Sequence, residues 1–273
     1  MAKILSPLLL ESRCSFDTKR RDKQGLASTE IVPIEYNGGR VLSGATLNVY
    51  IIYYGTWPAK AGPKIIENFI SSLSLGSANK QGAAGDPKVS YWWATNTKYY
   101  SEAEDGTQAF VSTEVKVAKV IKHKGFVRKK VSARTAWEVV RSKIGTKKPF
   151  PYDANGIYLM IASKNVKIDG FCKGSPTPNG NPGIDSMIVN IANVIAASAT
   201  NPDRQSGWFD ADGYTSVNKC LALPDAFEPL LTAKNAKGKK FKYNVVGLNS
   251  MKFMVPNNLD PDTNSCVMQT ISP

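Results

Sequence analysis

Few side chains in this sequence are equipped for chemistry, and their spacing decides what they can do. His123 is the only histidine in the 273 residues and sits between Lys122 and Lys124. Neighbouring cations disfavour a metal ion and no second imidazole exists to share one, so His123 is a poor ligand. A Ser-His-Asp triad would have to form at His123, and no Gly-x-Ser-x-Gly elbow accompanies it. Asp210-Ala211-Asp212-Gly213 has the look of part of a calcium loop, but Lys219 stands where the closing acid belongs, and a turn is expected instead. Asp185, Asp210 and Asp212 are the carboxylates available to a glycan hydrolase, which needs two carboxyl groups about 5 to 10 Å apart in a cleft.

Charge is the second resource. Lys and Arg total 35 against 22 Asp and Glu, a formal net charge of +13. Such a balance favours acidic partners: anionic polysaccharide, nucleic acid or phospholipid. From Thr113 to Phe126, Val115, Val117 and Val120 are interleaved with Lys116, Lys119, Lys122 and Lys124, predicting a strand with one wet, basic face. Arg128, Lys129 and Lys130 extend it. These are candidate anion-binding residues, although lysines on an edge strand also block unwanted sheet pairing. A second basic run, Ala233 to Lys242 with Lys237, Lys239 and Lys240, reads as a flexible loop and as the other half of an anion patch. No nucleic-acid reading motif accompanies either run, which ranks nucleic acid behind polysaccharide. No apolar run approaches the roughly 18 residues of a membrane span.

The elements that must position these residues follow from periodicity. Ile184, Met187, Ile188, Ile191, Val194, Ile195 and Ala199 mark one helical face over residues 184–200, with Gly183 and Asp185 at its start and Pro202 beyond its end. The opposite stripe, Ser186, Asn190, Asn193, Ala197 and Thr200, is small and uncharged, so it is expected to be covered. Ala45 to Tyr54 and Gly156 to Ala162 are apolar on both faces and predict interior strands. A helix led by Pro63 and another capped by Ser132 lie between them. VSYWWATNTKYY, with Tyr91, Trp92, Trp93, Tyr99 and Tyr100, is dense enough in rings to stack sugars, yet core packing is the commoner use. Cys14, Cys172, Cys220 and Cys266 contain no Cys-x-x-Cys pair, which excludes a zinc knuckle and leaves two disulfides in any pairing, or four thiols, open.

Several stretches occur in the order of a known family. YNGGRVLSGATLNVYIIYYGTW, KIIENFISSL, the Trp pair, YLMIASKNVKIDGFC, NGNPGIDSMIVNIANVIAASATNP and the tail YNVVGLNSMKFMVPNNLDPDTNSC together resemble the plant EXORDIUM and phosphate-induced protein 1 family over about residues 33–268. The resemblance implies a secreted, wall-associated protein tied to cell expansion and growth. It also implies a bridge between Cys220 and Cys266, which match the family's last two cysteines. Between GFCKG and NGNPGID the family carries a long cysteine-containing insertion that this chain crosses in a few residues, which leaves Cys172 to pair with Cys14 or stay free. A fainter likeness is to zinc metallopeptidases, which carry His-Glu-x-x-His or a Glu-ended version on such a helix. Anchored on Thr200-Asn201-Pro202, it puts Asn193, Val194 and Ala197 where first ligand, base and second ligand would stand, and none of the three can do that work.

The expected fold is therefore α/β (α+β): a mixed β-sheet covered by helices, akin to a zincin scaffold, with the 184–200 helix across it. A single domain over 31–273 follows a basic extension or leader over 1–30, whose short apolar stretch, broken by Pro7, makes no persuasive signal peptide. The expected function is non-catalytic binding of an acidic polysaccharide or another extracellular protein, without cofactor or metal. The alternative is a hydrolase of unrecognised type acting on glycans or peptides.

Overall fold

The structure, a computed structural model, describes residues 33–57, 61–123, 127–163, 165–168, 178–204, 206–235 and 237–268. The extension over 1–30, Cys14, Lys124 and Cys172 lie outside them. In chain order, β1 (Glu35–Tyr36) and β2 (Leu47–Tyr54) precede helices α1 (Ala61–Ser72) and α2 (Val89–Ala94). A hairpin of β3 (Tyr100–Glu102) and β4 (Gln108–Phe110) leads to β5 (Val115–Lys122), then β6 (Lys130–Val131) and α3 (Ala133–Arg141). Next come β7 (Gly156–Ala162), β8 (Lys167–Ile168), the long α4 (Pro182–Thr200), β9 (Trp208–Phe209) and α5 (Ser216–Leu221). Three hairpin pairs close the chain: β10 (Leu231–Lys234) with β11 (Lys240–Tyr243), β12 (Val245–Val246) with β13 (Lys252–Phe253), and β14 (Asn258–Asp260) with β15 (Ser265–Val267).

Strand β2 lies between β5 and β7 and is parallel to both. Its two apolar faces are explained by what covers them. Val49, Ile51 and Tyr53 join a core with Ile66, Phe69 and Ile70 of α1 and Ile188 and Ile195 of α4, while Tyr50 and Ile52 pack with Val140 of α3, Phe150 and Tyr158. Helices thus lie on both sides of a small parallel sheet, an α/β layering. Parallel and antiparallel pairing are both present, divided among separate small sheets: β1–β9 and β3–β4, like the three closing hairpins, are antiparallel.

Helix α4 begins earlier than its apolar period suggests. Asn181 is the N-cap, its side chain accepting the Ile184 N–H at 3.3 Å, and Pro182 opens the first turn, where a missing N–H costs nothing. Asp185 lies in the first turn and reaches back toward the chain that enters it, accepting from the Asn179 side-chain amide at 2.8 Å and the Asn181 N–H at 3.3 Å. Burial raises its carboxyl pKa above the ordinary value, against the lowering effect of those donors. Most of the expected covered stripe is covered: Ser186, Asn193, Ala197 and Thr200 are buried, and Asn190 is half-buried. Among the described residues α4 is the one helix long and apolar enough to cross a membrane, but 78% of its apolar window is buried in this fold, so it serves as the core helix.

Candidate functional site

At the middle of α4, the metallopeptidase-like positions meet protein. Asn193 donates from Nδ2 to Oδ1 of Asn218 on α5 at 2.7 Å, Ala197 is buried, and Val194 packs against the main core. Among the described residues no group of three His, Cys, Asp or Glu side chains is placed to hold a metal ion. The carboxylates considered for hydrolysis are held by local bonds. Asp210 Oδ1 accepts the N–H groups of Asp212 at 3.0 Å and Tyr214 at 2.8 Å, and its other oxygen pairs with Lys219 Nζ. Lys219, which stands where a calcium loop would need an acid, therefore neutralises the loop it would otherwise complete. Asp212 is exposed on that turn, while Asp185, in the first turn of α4, is held by Asn179 and Asn181.

The lysines of β5 are divided. A bulge at Val49/Tyr50 of β2 leaves Ala118 unpaired, so Lys116 and Lys119 pair with Asn48 and Tyr50 on one face, and Lys122 pairs with Tyr53 on the other. The expected single basic face does not form: lysines three apart cannot share a face in a strand of period two, and the bulge brings Lys116 and Lys119 together while leaving Lys122 on the other side. Arg128, Lys129 and Lys130 are exposed beyond it. His123 ends the strand, its N–H donating to Tyr53 O at 2.9 Å and its ring 4.8 Å from that of Tyr54.

The run from Ala233 to Lys242 is a hairpin, not a loop. Lys234 stands directly opposite Lys240, and Thr232 opposite Lys242. These positions are two apart on each strand and share one face, whereas Leu231, Ala233, Phe241 and Tyr243 share the other. At the tip, Asn235 Oδ1 accepts the N–H groups of Lys237 and Lys239, each at 3.0 Å, and Gly238 takes the left-handed φ of 74° that closes the turn. Lys234, Lys237, Lys239, Lys240 and Lys242 are all exposed, and none forms an ion pair among the described residues. Like charges set opposite each other across a strand pair are destabilising. The hairpin therefore holds a concentrated, uncompensated positive field on a fixed backbone.

Most of the aromatic segment is core. Trp92, Trp93 and Tyr99 are fully buried, donating to the carbonyls of Pro256 at 2.7 Å, Ser112 at 3.0 Å and Leu259 at 2.7 Å. Tyr91 and Tyr100 are the exceptions and remain half-buried.

Fold and surface together define an α/β protein with a buried structural helix and a cationic hairpin as its most strongly charged feature. The model of the phosphate-induced protein 1 conserved region matches residues 34–177 and 174–269, and the chain belongs to that family. It is similar to Protein PHOSPHATE-INDUCED 1 of Nicotiana tabacum, 24% identical over 296 residues spanning 85% of this chain and 87% of that one. Protein EXORDIUM-like 1 of Arabidopsis thaliana is 25% identical over 297 residues, spanning 85% of this chain and 88% of the relative. Protein EXORDIUM-like 5 of the same plant is 24% identical over 301 residues, 88% and 78% of the two chains. No solved structure matches. The bridge implied by the family resemblance is present: Cys220 of α5 is bonded to Cys266 of β15.

Proposed function

We propose that this chain is an EXORDIUM-like binding protein of the extracellular matrix that engages an acidic polysaccharide through the β10–β11 hairpin. The observation that carries the proposal is the set of five exposed lysines between Lys234 and Lys242, without acidic partners among the described residues and with two of them face to face across the strands. A polyanion laid along this face would relieve their mutual repulsion as it gains attraction. Lys116, Lys119, Arg128, Lys129 and Lys130 are further exposed basic residues on or beside β5 and β6. The Cys220–Cys266 bridge suits an oxidising compartment, and the family resemblance supports a role in growth or wall processes outside the cell. Binding is favoured over hydrolysis because Asp185 and Asp210 are engaged in bonds that hold the fold. The test is retention of the protein on immobilised polygalacturonate, compared with a neutral glucan matrix. Retention on the acidic matrix alone, lost when Lys237, Lys239 and Lys240 are changed to Gln, supports the proposal; equal retention of wild type and variant refutes it.

A further inference from the structure

A different surface, on the β3–β4 hairpin, sets aromatic rings beside an exposed polar pair. Cross-strand pairing sets Tyr100 opposite Phe110 and Glu102 opposite Gln108. The two pairs are two residues apart on each strand, so all four side chains stand on one face. Phe110 is 49% exposed, the most exposed large hydrophobic side chain among the described residues, and its ring lies 5.7 Å from that of Tyr100. Behind them Tyr36 of β1 and Trp208 of β9 complete a ring cluster, with Tyr36 5.8 Å from Tyr100 and Trp208 5.3 Å from Tyr100. Three chain segments far apart in sequence are thereby gathered into one aromatic surface.

Backbone bonds hold the cluster in place. Tyr36 donates from its hydroxyl to Gly39 O at 2.6 Å and accepts the Glu102 N–H at 3.0 Å, while Trp208 Nε1 donates to Tyr100 O at 2.7 Å. These bonds fix the rings of Tyr36 and Trp208, against which the ring of Tyr100 packs. Beside the rings, Gln108 Nε2 donates to Glu102 Oε2 at 3.1 Å. That bond uses one amide proton and one carboxylate oxygen, leaving the other proton, the other oxygen and the amide carbonyl of two exposed side chains for a ligand.

We infer that this face binds a neutral pyranose unit of a glycan, its C–H face against Phe110 and Tyr100 and its hydroxyls on the Glu102–Gln108 pair. Aromatic faces supply apolar contact with a wet edge, which is what a sugar ring presents in return. Charge selects among sugars. From Tyr100 to Phe110 the hairpin carries Glu102, Glu104 and Asp105 and no Lys or Arg, so an acidic glycan is repelled where a neutral one is not. The inference uses no residue of the cationic hairpin and stands or falls separately from polyanion binding.

The experiment is calorimetric titration of the full chain with three neutral oligosaccharides, cellohexaose, xylohexaose and mannohexaose, at low and at high salt. At least one should bind with an affinity that salt leaves unchanged, because the contact is apolar and hydrogen-bonded. Phe110→Ala, at an exposed position, should weaken that binding about tenfold, the size of one lost ring contact. Gln108→Ala should weaken it too, and both variants should keep wild-type retention on polygalacturonate. Absence of binding to all three oligosaccharides overturns the inference, as does binding that Phe110→Ala leaves unchanged. It is equally overturned if the unliganded chain self-associates and Phe110→Ala abolishes the self-association, since the face would then be a contact between copies.

Discussion

Opening the Cys220–Cys266 bridge should destabilise the protein by an amount that its place in the chain fixes in advance. The two cysteines are 46 residues apart. A crosslink of that span removes about 13.5 cal/mol/K of unfolded-chain entropy, or about 4 kcal/mol at 25 °C. Cys220 is completely buried and lies in the main core beside Val217 and Leu259, so its replacement by Ala adds a small packing loss to the loop term. A double variant, Cys220→Ala with Cys266→Ala, leaves Cys14 and Cys172 untouched, which reduction of the wild type would not. Equilibrium urea unfolding followed by tryptophan fluorescence should give a loss of about 4 kcal/mol, and the melting temperature should fall by about 8 to 16 °C for a domain of this size. The slope against urea should rise, because an uncrosslinked unfolded chain exposes more surface. A loss below about 1 kcal/mol with an unchanged slope would refute the reasoning, since it would mean that the unfolded state is not restrained by this bridge.

Three further variants probe the scaffold. Lys219→Met should cost about 3 to 5 kcal/mol by leaving the Asp210 carboxylate buried without its cation, and adding Asp210→Asn should recover much of that loss; similar urea midpoints for the two variants would contradict this. Gly207→Ala should cost about 1 to 3 kcal/mol, because Gly207 has φ 101° and a Cβ there would fall 2.6 Å from the Thr200 carbonyl oxygen; an unchanged melting temperature would count against it. Asp185 has a folded pKa raised by burial, so its proton-linked stability is complete below the unfolded pKa of about 3.9 and is lost as pH rises through the folded value. Wild type should therefore gain on Asp185→Asn as pH falls through that window, and a stability difference that is flat with pH would disprove the burial argument.

How legible this molecule is in its sequence depends on how far apart the cooperating residues lie. The double-faced apolar run of β2 announced a central strand, and the period of α4 announced a buried helix, because both patterns are local. Ser132 was equally readable as a cap: its side chain accepts the Thr135 N–H at 3.3 Å. Gly183 and Asp185 mark the start of α4 to within a turn, whereas Asn181 and Pro182, its cap and first residue, carry no apolar period and are not legible in it. The lysines of β5 are three apart, a spacing that spreads them over both faces of a strand, and the bulge that puts Lys116 and Lys119 on the same face is set by pairing with β2 and is not written in the local pattern. Residues 233–242 read as a loop because lysines, Gly238 and Asn235 outweigh a short β pattern whose pairing partner begins at Leu231. Tyr36, Phe110 and Trp208 could not be seen as one surface with Tyr100, since their meeting depends on two separate strand pairings, β1–β9 and β3–β4.

The most direct test of polyanion binding by the β10–β11 hairpin is the affinity for soluble polygalacturonate measured as salt rises from about 0.1 M to about 1 M, where the screening length falls from about 10 Å to about 3 Å. Wild type should bind at the lower salt and lose more than about tenfold across the range, and a chain with Lys237→Gln, Lys239→Gln and Lys240→Gln should start weaker and show a shallower dependence. Binding that salt does not weaken, or a triple variant indistinguishable from wild type, would contradict the assignment of the hairpin as the polyanion site.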